Sequence, residues 1–85
     1  MILLEKKFLR ASKQIWKLGY RPTDAQLLKL YALYKQATNG DIMIEKPWNG
    51  GLKEIAKWNA RSNIKGMLKE DAMKNYIELV MELGT

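Results

Sequence analysis

Two tyrosines and a lysine fall close together at Tyr31, Tyr34 and Lys35, inside the stretch Leu27–Asp41, LLKLYALYKQATNGD. Phenols and ammonium groups donate hydrogen bonds suited to an anion, and a phenol ring also offers a flat face for stacking. At about 100° per residue, Leu27, Leu30, Tyr34 and Ala37 line one helical stripe. Leu28, Tyr31 and Lys35 form the shoulder beside it. A helix that served only a core would turn its lysine and its tyrosines to different sides. Here they converge, which points to a ligand.

The absences narrow the chemistry. The 85 residues include no cysteine and no histidine, so no disulfide, thiolate nucleophile, Ser-His-Asp triad or imidazole metal site can be assembled. The nine acids are scattered, apart from Glu70-Asp71 at an expected helix start, where carboxylates serve the helix dipole. The chain reads as a non-enzyme with no metal and no cofactor. Its net charge of +6 lies before Lys69, since the remainder holds two lysines against four acids. A basic surface suits nucleic acid, an anionic membrane or a phosphorylated small molecule. On charge alone, a solvated lysine-rich surface explains it equally well.

Four helical patterns must position these groups, which makes an all-α bundle in one domain, 1–85, the expected fold. The first covers Met1–Leu18, where Leu4, Phe8, Ala11, Ile15 and Leu18 form a buried stripe and lysines take the other sides. Leu9 and Trp16 lie off that stripe, seven residues apart on one face, either as ordinary exposed apolar residues or as the wall of a groove. Gly19-Tyr20-Arg21-Pro22 makes the first connection, because proline cannot continue a helix. Thr23 with Gln26 then gives the second helix a capping-box start, and Gly40 ends it. Asn39 to Gly51 is a long crossover rich in breakers, without the spacing of a phosphate loop. The third helix spans Leu52–Lys65, with Leu52, Ile55, Ala56 and Asn59 on one face. The fourth spans Lys69–Leu83. No apolar run approaches the roughly 20 residues that span a bilayer.

These motifs resemble the acyl-CoA-binding protein family, also called diazepam-binding inhibitor or endozepine. LYALYKQATNGD at Leu30–Asp41 is similar to that family's YxxYKQAT-x-GD signature. Lys57-Trp58 with Ala60 resembles its KAKWxAW segment, and Lys65-Gly66 followed by KEDAMKNYI at Lys69–Ile77 resembles its KG…KEDAMxxYI segment. Phe8, Pro22 and Pro47 also stand where members have them, so the resemblance covers essentially the whole chain.

The resemblance implies a four-helix, up-down-down-up bundle and a carrier of long-chain acyl-CoA thioesters that performs no catalysis. It implies that Tyr31, Lys35 and Lys57 hold the 3′-phosphate of the ribose. Tyr34 matches the tyrosine associated with the adenine, and Tyr76 the tyrosine that closes the nucleotide site. Leu27 and Leu28 match apolar positions along the acyl path between helices. A cytoplasmic monomer is expected, binding acyl-CoA rather than nucleic acid, with only transient contact to a membrane or an acyl-CoA-using enzyme. Three positions depart from the family pattern. Trp16 stands where many members have a lysine, Arg61 replaces a second tryptophan, and Leu68 replaces the Ser or Thr cap of the last helix. The first departure is expected to weaken phosphate binding, to shift it to Lys13 or Lys17, or to pack the indole on the pantetheine or acyl chain instead, and the last to cost about 1 kcal/mol of stability.

Overall fold

The computed structural model describes residues 2–84 and arranges them in four α-helices, with no strand among the described residues. Helix α1 covers Ile2–Gln14 and tightens into a 3-10 turn at Ile15–Lys17. Helices α2, α3 and α4 cover Asp24–Asn39, Leu52–Asn63 and Lys69–Leu83. The apolar spacing alone predicts an α-helix as far as Leu18. Instead the last turn winds more tightly, as helix ends often do, and Leu18 is already extended ahead of Gly19. Met1 lies outside the described residues.

Local chemistry accounts for the ends. The Thr23 hydroxyl accepts from the Gln26 amide at 3.1 Å while the Gln26 side chain accepts from the Thr23 amide at 2.8 Å. Two orphan donors of the first turn are thereby satisfied. Gly40 closes α2 at φ 82°, a left-handed conformation that a Cβ would disfavour, and its N–H returns to the Gln36 carbonyl. At α4, Leu68 provides no side-chain cap, and Glu70 and Asp71 in the first turn face the positive end of the dipole.

Helix α4 is the spine. It packs against both α1 and α2, while α3 rests on α2. Phe8 and Ala11 of α1, Leu30, Leu33 and Ala37 of α2, and Ala72, Tyr76, Leu79, Val80 and Leu83 of α4 form one buried cluster. The inner stripe of α2 therefore differs from the expected one. Leu33 and Gln36 are buried, whereas Leu27 is half-buried and Tyr34 remains 38% exposed. Two neighbours, α4 and α3, cover α2 from different sides, and their joint coverage rotates the buried arc toward Leu33. Helix α3 has a single neighbour of this kind and buries no residue fully; Leu52, expected on its inner face, is exposed.

A polar clamp fastens the far end of α2. The Gln36 amide donates to Asp41 Oδ1 at 2.8 Å and to the Met67 carbonyl at 2.7 Å, and Asp41 Oδ1 also accepts from the Gly66 N–H at 2.8 Å. The Gln36 bond first, then the Gly66 N–H and nearby Lys65, holds the Asp41 carboxyl below its ordinary pKa. Arg61 reaches from α3 to the Gly40 carbonyl at 2.8 Å, so the guanidinium that departs from the family pattern becomes a tie between helices. Trp58 donates to the Ile44 carbonyl at 2.8 Å and anchors the crossover, and the Tyr20 hydroxyl donates to the Leu83 carbonyl.

Candidate functional site

A cleft of about 740 Å³ opens where α1, its connection to α2, and α2 meet above α4. Leu27, Tyr31 and Tyr34 form the α2 wall, spaced so that one helical face presents all three. Ile15, Leu18 and Leu30 add apolar surface. Tyr76 lies at the base, only 4% exposed, where α4 carries it into the space between the other two helices.

Three rings lock this base together. Phe8 stacks on Tyr34 with centroids 5.5 Å apart and meets Tyr76 edge-on at 5.1 Å. Tyr34 and Tyr76 are tilted at 6.0 Å. Such pairs add about 0.5–1.5 kcal/mol beyond the area they bury, and they fix ring orientations before any ligand arrives. Burial, and secondarily the Tyr34 phenol, raises the Tyr76 pKa above its ordinary value, so Tyr76 stays a neutral donor.

Cations approach from two sides. From α3, the Lys57 ammonium lies 5.5 Å from the centre of the Tyr31 ring, a cation–π distance, and 3.9 Å from Glu54. Both members of that ion pair are well exposed, so Glu54 is a weak competitor for an incoming anion. Lys35 is half-buried one turn along α2 from Tyr31, on the same shoulder but off the cleft wall. Lys13 and Arg21 line the cleft from the other side.

Of the residues expected at a site, Leu27, Tyr31, Tyr34 and Tyr76 therefore share one cleft, and Lys57 meets it through Tyr31. Leu28 is separate. It lines a second hollow of about 660 Å³ between α2, α3 and α4, with Leu33, Met67 and Leu79 and the acids Glu78 and Glu82. In the sequence, Trp16 stands out through its place off the buried stripe beside Leu9 and through the missing family lysine, Lys13 only through that lysine, and Tyr20 and Arg21 only as a connection. An aromatic and a guanidinium directly before a capping box are the available signal. Trp16 is 87% exposed on the cleft rim, so it presents apolar surface there.

The arrangement suits a ligand that is anionic and aromatic at one end and apolar elsewhere. Among the described residues, no cluster of carboxylates is placed to hold a metal ion.

Comparison with known proteins agrees with this chemistry. The family model described as acyl CoA binding protein matches residues 5–80. The chain is similar to the acyl-CoA-binding protein of Saccharomyces cerevisiae, with 44% identity over 81 residues, covering 95% of this chain and 93% of that protein. A relative from a species of Hypsibius is 45% identical over 80 residues, covering 94% of this chain and 90% of its own length. The crystal structure of Oryza sativa acyl-CoA-binding protein 2 superposes with a TM-score of 0.90 at 34% identity, covering 96% of this chain and 89% of that one.

Proposed function

This chain belongs to the acyl-CoA-binding protein family, and from that premise we propose that it binds acyl-CoA thioesters and carries them unreacted. The observation that carries the reading is the meeting of Lys57 with the Tyr31 ring beside a cleft based on Tyr34 and Tyr76. Cations and phenols stand next to apolar helix surface there, which is the chemistry of a nucleotide joined to a fatty acyl chain.

In finer terms, Tyr31, Lys35 and Lys57 hold the 3′-phosphate of the ribose. Charge-assisted hydrogen bonds to a dianion are the strong kind, and two ammonium groups with one phenol suit its geometry. Tyr34 stacks on the adenine, an interaction of ~1–3 kcal/mol that is indifferent to the base's hydrogen-bonding pattern. Tyr76 closes the nucleotide site from below. The acyl chain follows the apolar surface of α2 at Leu27 within the cleft, and Leu28, which lines the second hollow, is left out of that path. Each buried methylene contributes ~0.8 kcal/mol, so eight more carbons add at most roughly 6 kcal/mol, and long chains are preferred over short ones.

The mechanism is sequestration: the thioester is withdrawn from water while the nucleotide end covers it. Titration calorimetry with palmitoyl-CoA, free palmitate and free CoA tests the proposal. Tight one-to-one binding of the intact thioester is expected, with far weaker binding of either half. Equal affinity for the thioester and its halves would overturn it.

A further inference from the structure

Ligand binding leaves the outward face of α1 unexplained. Ile2, Leu9 and Trp16 stand seven residues apart and are 72%, 53% and 87% exposed. That spacing puts Ile2 and Leu9 on one side of α1, away from the stripe of Phe8 and Ala11 that it buries, and Trp16 extends the line from the 3-10 turn to the cleft rim. A soluble surface carries single apolar residues freely, but a line of three along one helix is an unpartnered stripe. Lys6, Arg10 and Lys13 run along its flank. Over the helix and its final turn, five cations face one acid, Glu5, which is most of the net charge of +6.

We propose that this face of α1 is a docking surface for anionic lipid membranes, lying in the plane of the headgroups. An apolar line bordered by lysine and arginine, with a tryptophan at one end, is the composition that settles at a membrane interface. The side chains enter the acyl boundary while the cations meet lipid phosphates and carboxylates. No helix among the described residues is long and apolar enough to cross a membrane, so contact is peripheral. Charge decides between α1 and the other exposed apolar group, formed by Met43, Ile44, Trp48 and Leu52 on and beside the crossover. There Glu45 and Glu54 offset Lys46 and Lys53, so an anionic surface gains little.

Trp16 and Lys13 belong both to the α1 face and to the cleft rim, so docking sets the cleft mouth against the bilayer. A lipid-borne ligand then passes between membrane and cleft without crossing water. This last step rests on the ligand reading above, whereas docking itself does not.

Flotation of the full chain with vesicles, without ligand, tests the docking. Binding is expected to phosphatidylserine–phosphatidylcholine vesicles, with little to phosphatidylcholine alone, and is expected to weaken in high salt. Leu9→Glu should lower it by about tenfold or more. The doubly reversed Lys6→Glu/Arg10→Glu should do at least as much. Neither change touches the cleft, so palmitoyl-CoA affinity in solution should stay within about twofold. Should Leu9→Glu lower the melting temperature, the double variant at exposed positions carries the same test. Equal binding to both vesicle types, no binding to either, or anionic binding indifferent to Leu9→Glu would each overturn the proposal. So would a dimer in sedimentation velocity that Leu9→Glu dissolves, since a second copy would then be the occupant. A failure of palmitoyl-CoA titration with vesicle binding intact would strike the ligand reading alone.

Discussion

Helix α2 separates two hollows of similar size and opposite character. On one side, Leu27, Tyr31 and Tyr34 face a cleft of about 740 Å³ with Lys13 and Arg21 on its walls. On the other, Leu28 and Leu33 face a hollow of about 660 Å³ that contains no aromatic residue and whose charges, Glu78 and Glu82 against Lys29, leave an acidic excess. Volume does not distinguish them. The sign of the charge and the presence of ring faces do, because a nucleotide needs cations for its phosphates and flat surfaces for its base. The first side is equipped for binding. The second belongs to the seams that hold the helices together, and the Gln36 amide ties α2 to Met67 on its lining.

Substitutions on the two sides should accordingly fail in different assays. The largest effect is expected from Leu33→Ala, which empties a buried position facing the acidic hollow. Chemical denaturation should show a stability loss of about 2–4 kcal/mol. Palmitoyl-CoA affinity of the folded fraction should be unchanged, and a parallel loss of affinity would break the comparison. Next comes Lys57→Ala, which should weaken palmitoyl-CoA binding by about 10- to 100-fold. Binding of dephospho-palmitoyl-CoA should hardly change. Equal losses in calorimetry with the two ligands would remove Lys57 from the phosphate.

A smaller effect, roughly tenfold, is expected from Tyr31→Phe, which deletes one donor and keeps the ring under Lys57. Its melting temperature should match the parent within experimental scatter, and a collapse would make Tyr31 structural. The smallest effect concerns pH. The Asp41 carboxyl has its pKa lowered in the folded chain, so its contribution is present above about pH 4, the ordinary carboxylate value. That contribution fades as pH falls toward the depressed folded value. Melting curves should therefore lose stability through this acidic range, and less so in Asp41→Asn. Identical pH profiles would remove the clamp from the acid response.

Much of this architecture is legible in the chain alone. The four helices follow from it within a few residues, because apolar spacing, the Thr23–Gln26 box and Gly40 each act over one or two turns. The phenols and Lys57 stand out through motif spacing. The buried arc of α2 is not legible. Leu27 and Tyr34 satisfy the same periodicity as Leu30 and Ala37, and only the positions of α3 and α4 decide that Leu33 and Gln36 turn inward. The separation of Leu28 from Leu27 escapes for a related reason: adjacent residues on a helix point about 100° apart, and which neighbour each meets is set by packing.

The sequence by itself determined which segments are helical, where they stop, and which chemistries cannot occur without cysteine or histidine. Those properties follow from backbone sterics, local hydrogen bonds and the side-chain inventory. Only the tertiary structure decided that Phe8, Tyr34 and Tyr76 share one ring cluster, that Arg61 ties α3 to the end of α2, and that Lys57 lies over Tyr31. Each of those contacts joins residues from different helices. Their meeting depends on how whole helix faces bury against one another, and no local pattern in the chain encodes it.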